Sequence, residues 1–97
     1  IYPCHQFVGK PEFLLGNLFD GTFNNEISRQ FGRMNVYTRQ GCRDCWAKFY
    51  CSSGCSALNH NTNGDISKPD RVACALERKR VECAIALKAA RAARENP

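Results

Sequence analysis

A small, irregular α+β domain is predicted by three features of the sequence. The chain is short, at 97 residues, which suits one domain with a limited core. Four of its seven cysteines crowd into fourteen residues, at positions 42, 45, 51 and 55. The last third is rich in Ala, Leu, Glu, Lys and Arg, all strong helix formers, and predicts one long C-terminal helix. A short strand or hairpin remnant at the start and a cysteine-rich binding loop in the middle complete the expected architecture. Folds of this size commonly recruit metals or disulfides, and the cysteines make metal the organising element of this reading.

Residues 1–8 predict a strand. Pro3 cannot donate to a ladder, so the strand lies at an edge or an end. The chain opens on Ile1 rather than Met, and we expect it to begin inside a longer polypeptide, on the second strand of a hairpin. Cys4 reads equally as a ligand or as a small buried residue. Gly9-Lys10-Pro11 is a turn, and Phe13, Leu14, Leu15, Leu18, Phe19 and Phe23 supply a small core. Thr22 or Asn24 caps a helix over residues 25–32, with Ile27 and Phe31 on one face and Gly32 at its end. Residues 34–38 predict an extended stretch leading to the cysteines.

Packing explains those cysteines poorly, since a core would place Leu, Ile or Val at most such positions. The two-residue gap between Cys42 and Cys45 lets both sulfurs converge on one ion or cluster. The three-residue gap between Cys51 and Cys55 predicts one face of a helical turn, with Cβ atoms about 5–6 Å apart. That helix, begun near Ser52, runs to Asn59. Residues 59–65 are turn formers and predict a loop, where His60 reads as solvated rather than ligating. Ser67-x-x-Asp70 opens the long helix, which continues to about Arg94 before fraying. On it, Cys74 and Cys83 are nine positions apart, about half a turn out of phase, so they face opposite sides. Cys83 reads as a buried free thiol. Trp46, Phe49 and Tyr50 are expected to pack over the sulfurs and exclude water, and Arg43 to be solvent-exposed.

The formal charge of +5 counts every cysteine as neutral, and the basic residues gather on the predicted long helix. They read as a solvated face rather than a nucleic-acid interface. No apolar run approaches the ~18–20 residues of a membrane span. An odd cysteine count leaves one thiol over in any complete disulfide framework, so metal-bound thiolates in a reducing, cytoplasmic compartment fit better. No nucleophile–base constellation is visible, and the chain is not expected to be catalytic by itself. A zinc-stabilised module binding protein or nucleic acid is the alternative, because Cys-x2-Cys suits zinc and iron alike.

The spacing Cys42-x2-Cys45-x5-Cys51-x3-Cys55, with Cys74 after a further eighteen intervening residues, resembles the SPASM domain. That domain is the C-terminal extension of many radical S-adenosylmethionine (SAM) enzymes that modify peptides. Tyr2-Pro3-Cys4-His5-Gln6-Phe7, Leu15-Gly16-Asn17, Asn63-Gly64-Asp65-Ile66 and Arg78-Lys79-Arg80-Val81-Glu82-Cys83-Ala84 look most like the maturases of six-cysteine (SCIFF) peptides. Those enzymes form thioether bonds in ribosomally made peptides. The resemblance covers nearly the whole chain.

It implies auxiliary 4Fe–4S clusters, one or two. Cys42, Cys45, Cys51 and Cys74 would hold the second, while Cys55, with Cys4, would hold the first. It further implies two partners, a radical SAM core in the same polypeptide and a cysteine-rich substrate peptide. Zinc is a possible substitute in the isolated domain. Two departures matter. Where the family shows Gly, four residues and Cys, this chain has Gly16 and then Gly21, so the first cluster would lack a ligand and offer an open iron to a substrate thiolate. The Cys-x3-Cys-x2-Cys loop of the SAM-cleaving cluster is absent from these residues, so SAM belongs to the core domain outside them.

Overall fold

The computed structural model describes residues 1–96. It is α+β: a two-stranded antiparallel hairpin and four helices joined by tight turns. The expected N-terminal strand is replaced by two 3₁₀ turns, His5–Phe7 and Pro11–Phe13. Gly9, at φ +86°, turns the chain between them, and Pro11 starts the second turn with its preset φ. This folding-back brings the Phe7 and Phe13 rings together, with centroids 4.4 Å apart. Strand-like pairing survives only at Ile1, whose carbonyl accepts from the Leu15 amide at 2.8 Å and whose amino group donates to the Gly16 carbonyl at 2.7 Å.

The hairpin lies later than expected. Strand β1 is Gly16–Asn17 and β2 is Thr22–Phe23, with Gly16 opposite Phe23 and Asn17 opposite Thr22. Gly16 is obligatory here, because a Cβ at this position would lie 2.1 Å from the Thr22 carbonyl oxygen. Asn17 and Asp20 accept from the amides of Phe19 and Thr22, both at 2.9 Å, and close the connection. Leu18 and Phe19 therefore sit on an exposed tip, 81% and 98% accessible, and Phe23 is also exposed. None of the three joins the core that the sequence assigned them to.

Helix α1, Asn25–Gly32, starts where expected. The Asn24 side chain accepts from the Glu26 and Ile27 amides, which otherwise lack intrahelical partners. Residues 34–38 are turns rather than extended. Asn35 accepts from the Tyr37 amide, and the Thr38 hydroxyl accepts from the Asn35 amide, so local polar side chains hold the backbone in turns.

Three more helices follow: α2, Lys48–Cys51; α3, Ser56–Asn63; and α4, Arg71–Glu95. Helix α3 overturns the expected loop over residues 59–65. Asn, His and Thr are weak helix formers, but burial of Ala57 and Asn59 outweighs propensity. The Gly64 amide then closes the helix on the His60 carbonyl in a left-handed cap. His60 is half-buried, with its ring edge-on to Phe13 at 4.7 Å, rather than solvated in a loop. The core is small: Phe7, Phe13 and Ala57, flanked by Tyr2, Phe31 and Ile66.

Helix α4 begins at the Asp70 cap, whose carboxylate accepts from the Ala73 amide at 2.7 Å. Lys79–Glu82 and Arg80–Glu77 pairs lie along its exposed surface, where solvent screens them. From Glu82 to Glu95 every residue is exposed, and with this helix included the described residues extend over 65 × 25 × 21 Å. Among the described residues no helix is long and apolar enough to cross a membrane.

Candidate metal centre

The cysteine segment is a staircase of short turns. The Cys42 amide donates to the Arg39 carbonyl, Cys45 to Cys42, and Lys48 to Cys45, at 3.1–3.2 Å. Each step advances three residues, so Cys42 and Cys45 bracket one turn. Helix α2 then carries Cys51 at its end.

Cys51 and Cys55 do not share a helical turn. Ser52, Ser53 and Gly54 all lie in left-handed backbone, at φ 59°, 72° and 79°. This reverses the chain, so Cys51 ends α2 while Cys55 precedes α3. Two consecutive non-glycine residues in this region carry a cost of about 1–2 kcal/mol each. Surrounding structure must hold them.

The holder is Arg39, only 6% exposed. One of its terminal nitrogens donates to the Ser53 carbonyl and hydroxyl, each at 2.9 Å, and to the Gly54 carbonyl at 3.1 Å. The other terminal nitrogen donates to the Ser56 hydroxyl, and Nε donates to the Ile66 carbonyl at 3.2 Å. Asn59, 2% exposed, completes the frame. Its Nδ2 donates to the Ile66 carbonyl at 3.3 Å, and its Oδ1 accepts from the Asp70 amide at 3.1 Å. Asn59 thereby ties α3 to the start of α4, where Cys74 occupies the first turn. Every buried side-chain nitrogen and oxygen among the described residues has a partner.

The result is a cleft of about 670 Å³ whose wall includes Cys42, Cys45, Cys51, Cys55 and Cys74. Cys42 is buried, Cys45, Cys51 and Cys74 are half-buried, and Cys55 is exposed at the edge. Burial, then the thiolates of Cys74, Cys45 and Cys51, push the Cys42 thiol up, against the lowering pull of Arg39. Burial also pushes Cys74 up, opposed by Arg78 and reinforced by Cys51, Cys45 and Asp70. Cys42, Cys45 and Cys51 from one stretch and Cys74 from a distant one therefore line one cleft. Even so, among the described residues no three His, Cys, Asp or Glu side chains are grouped as they would be around a single metal ion.

Of the predicted ligands, Cys4 alone lies outside this arrangement. Cys4 is exposed beside the first 3₁₀ turn and is not part of the cleft wall. Cys55 points towards that turn, its thiol donating to Gln6 Oε1 at 3.6 Å. Cys83 is exposed on α4, not the buried thiol that was expected. Trp46, Phe49 and Tyr50 are 55%, 70% and 70% exposed, so they do not cover the sulfurs; at each of them the staircase turns the ring outward. Arg43 is exposed, as expected.

Two residues that organise the site were not legible. Arg39 follows the stretch that leads to the cysteines, and Asn59 sits among turn formers. No local pattern marks either one, because their partners lie up to 27 residues away in sequence. Compared with family models and with curated proteins, the chain matches none.

Proposed function

We propose that this chain is an auxiliary iron–sulfur domain of a radical SAM peptide maturase, with Cys42, Cys45, Cys51 and Cys74 holding a 4Fe–4S cluster. The observation that carries the reading is the convergence of these four thiols on one cleft. Four thiols are the donor set of such a cluster. Bound there, the cluster supplies one-electron transfer.

The chain's own residues supply the rest. The Arg39 frame fixes the turn between Cys51 and Cys55, and Asn59 fixes Cys74 relative to it. Lys68, Arg71 and Arg78 on the cleft wall offset thiolate charge. Cys55 donates to Gln6, two residues along the chain from Cys4, and Cys4 and Cys55 are proposed as ligands of a second cluster, incomplete within these residues and able to take a substrate cysteine. In this reading the SAM-binding core and a cysteine-rich peptide are the partners, in a cytoplasmic enzyme that installs thioether crosslinks. The exposed Trp46, Phe49 and Tyr50 surface is available to the core domain.

The test is metal and sulfide content after purification and reconstitution without oxygen. The expected result is a brown protein absorbing broadly near 400 nm, with roughly four irons and four sulfides per cluster. Colourless protein carrying zinc would establish the zinc-stabilised alternative, and paired disulfides would remove both.

A further inference from the structure

Resting on that iron–sulfur reading, we propose that Arg39 is the positioning residue and counter-charge of the cluster. One buried guanidinium holds the turn between Cys51 and Cys55 and offsets the negative charge of the thiolate-bound core.

Arg39 is the most deeply buried charged side chain among the described residues. A buried cation is costly unless it is paired. Among the described residues no carboxylate lies within ion-pair distance of it, and all five of its hydrogen bonds go to neutral carbonyl and hydroxyl oxygens. Those bonds give each of its three nitrogens a partner and leave its charge uncompensated. Cysteines flank what it holds: the Cys42 amide donates to its carbonyl, and Cys51 and Cys55 lie at the two ends of the turn its guanidinium grips. A cluster held by cysteine thiolates is a delocalised anion and supplies the missing partner.

The geometry explains why the residue is arginine. Its planar fork spans the Ser53 and Gly54 carbonyls, the Ser56 hydroxyl and the Ile66 carbonyl at once, which a single ammonium cannot do. The Arg39 carbonyl also accepts from the Cys42 amide at 3.2 Å. The residue thus touches the segment of Cys42 and Cys45 through its backbone. It touches the segment of Cys51 and Cys55 through its guanidinium, and the approach to Cys74 through Ile66. A positive charge at this point favours the reduced cluster, which carries one more negative charge.

The experiment uses the full chain loaded with iron without oxygen, beside its Arg39→Gln and Arg39→Lys variants. Iron and sulfide per chain, far-ultraviolet circular dichroism and the midpoint potential are measured on each. In the titration one electron passes from added dithionite to the oxidised cluster, and no proton moves. In Arg39→Gln, reduction is expected to be at least tenfold less favourable, a fall of about 59 mV for a one-electron couple. Arg39→Lys is expected to keep its potential but to lose iron to a chelator several-fold faster. A variant pair in which only Arg39→Lys loads iron also supports the proposal. An unchanged potential in Arg39→Gln overturns it. Loss of both iron and the helical signal from both variants overturns it as well, because packing alone then accounts for the effect. If the unaltered chain holds no iron and sulfide, the proposed function falls, and this inference falls with it.

Discussion

Replacing Asn59 with Ala tests the frame that brings Cys74 to the other cysteines. The side chain is 2% exposed and makes two backbone-directed bonds, donating to the Ile66 carbonyl and accepting from the Asp70 amide. Ile66 keeps its bond from Arg39, so that acceptor is not orphaned. The Asp70 amide is orphaned, at a cost of about 1–3 kcal/mol for a partly buried donor. The void left by the amide group adds about 1 kcal/mol. We expect a total loss of about 2–4 kcal/mol, measured by urea unfolding of the iron-loaded chain without oxygen, with circular dichroism as the signal. The midpoint falls while the denaturant slope stays constant. Asn61→Ala is the control. That side chain is exposed and accepts only from Lys10, so its loss stays within about 0.5 kcal/mol. If Asn59→Ala costs no more than this control, α3 and α4 are not joined through Asn59, and the account of how Cys74 is placed is wrong.

Other substitutions and conditions probe the remaining links. Cys42→Ala or Cys74→Ala is expected to lower bound iron several-fold, while Cys83→Ala, on an exposed stretch of α4, leaves it unchanged; iron assay without oxygen decides. In the chelated and reduced chain, burial and then the facing thiolates push Cys42 up, and burial likewise pushes Cys74 up, so the fold retains these protons longer than the unfolded chain does. Stability from this source is complete below the ordinary thiol value of about 8.5 and is lost as pH rises through the folded thiols' range, so urea midpoints fall from pH ~7 to pH ~10. An unchanged or rising midpoint would contradict the crowding of thiols in the cleft. Gly16→Ala drives a methyl group into the Thr22 carbonyl and is expected to cost about 1–3 kcal/mol, with faster amide exchange across the hairpin.

Composition and short-range spacing were enough for the parts of this protein that depend on neighbours within a few residues. Asn24 three positions before Ile27 marks the start of α1, and Asp70 ahead of an Ala-, Leu- and Arg-rich stretch marks the start of α4. The crowding of Cys42, Cys45, Cys51 and Cys55 is likewise local, and these four cysteines line one cleft. Tertiary packing decided the rest. Phe7 and Phe13 had to meet, so the expected first strand became two turns, and burial of Asn59 turned an expected loop into α3. The left-handed reversal at Ser52–Gly54 exists because Arg39 grips it from a segment no local pattern connects to it. A buried charge and a strained turn stabilise each other only when the chain has folded, which is why neither is visible along the sequence.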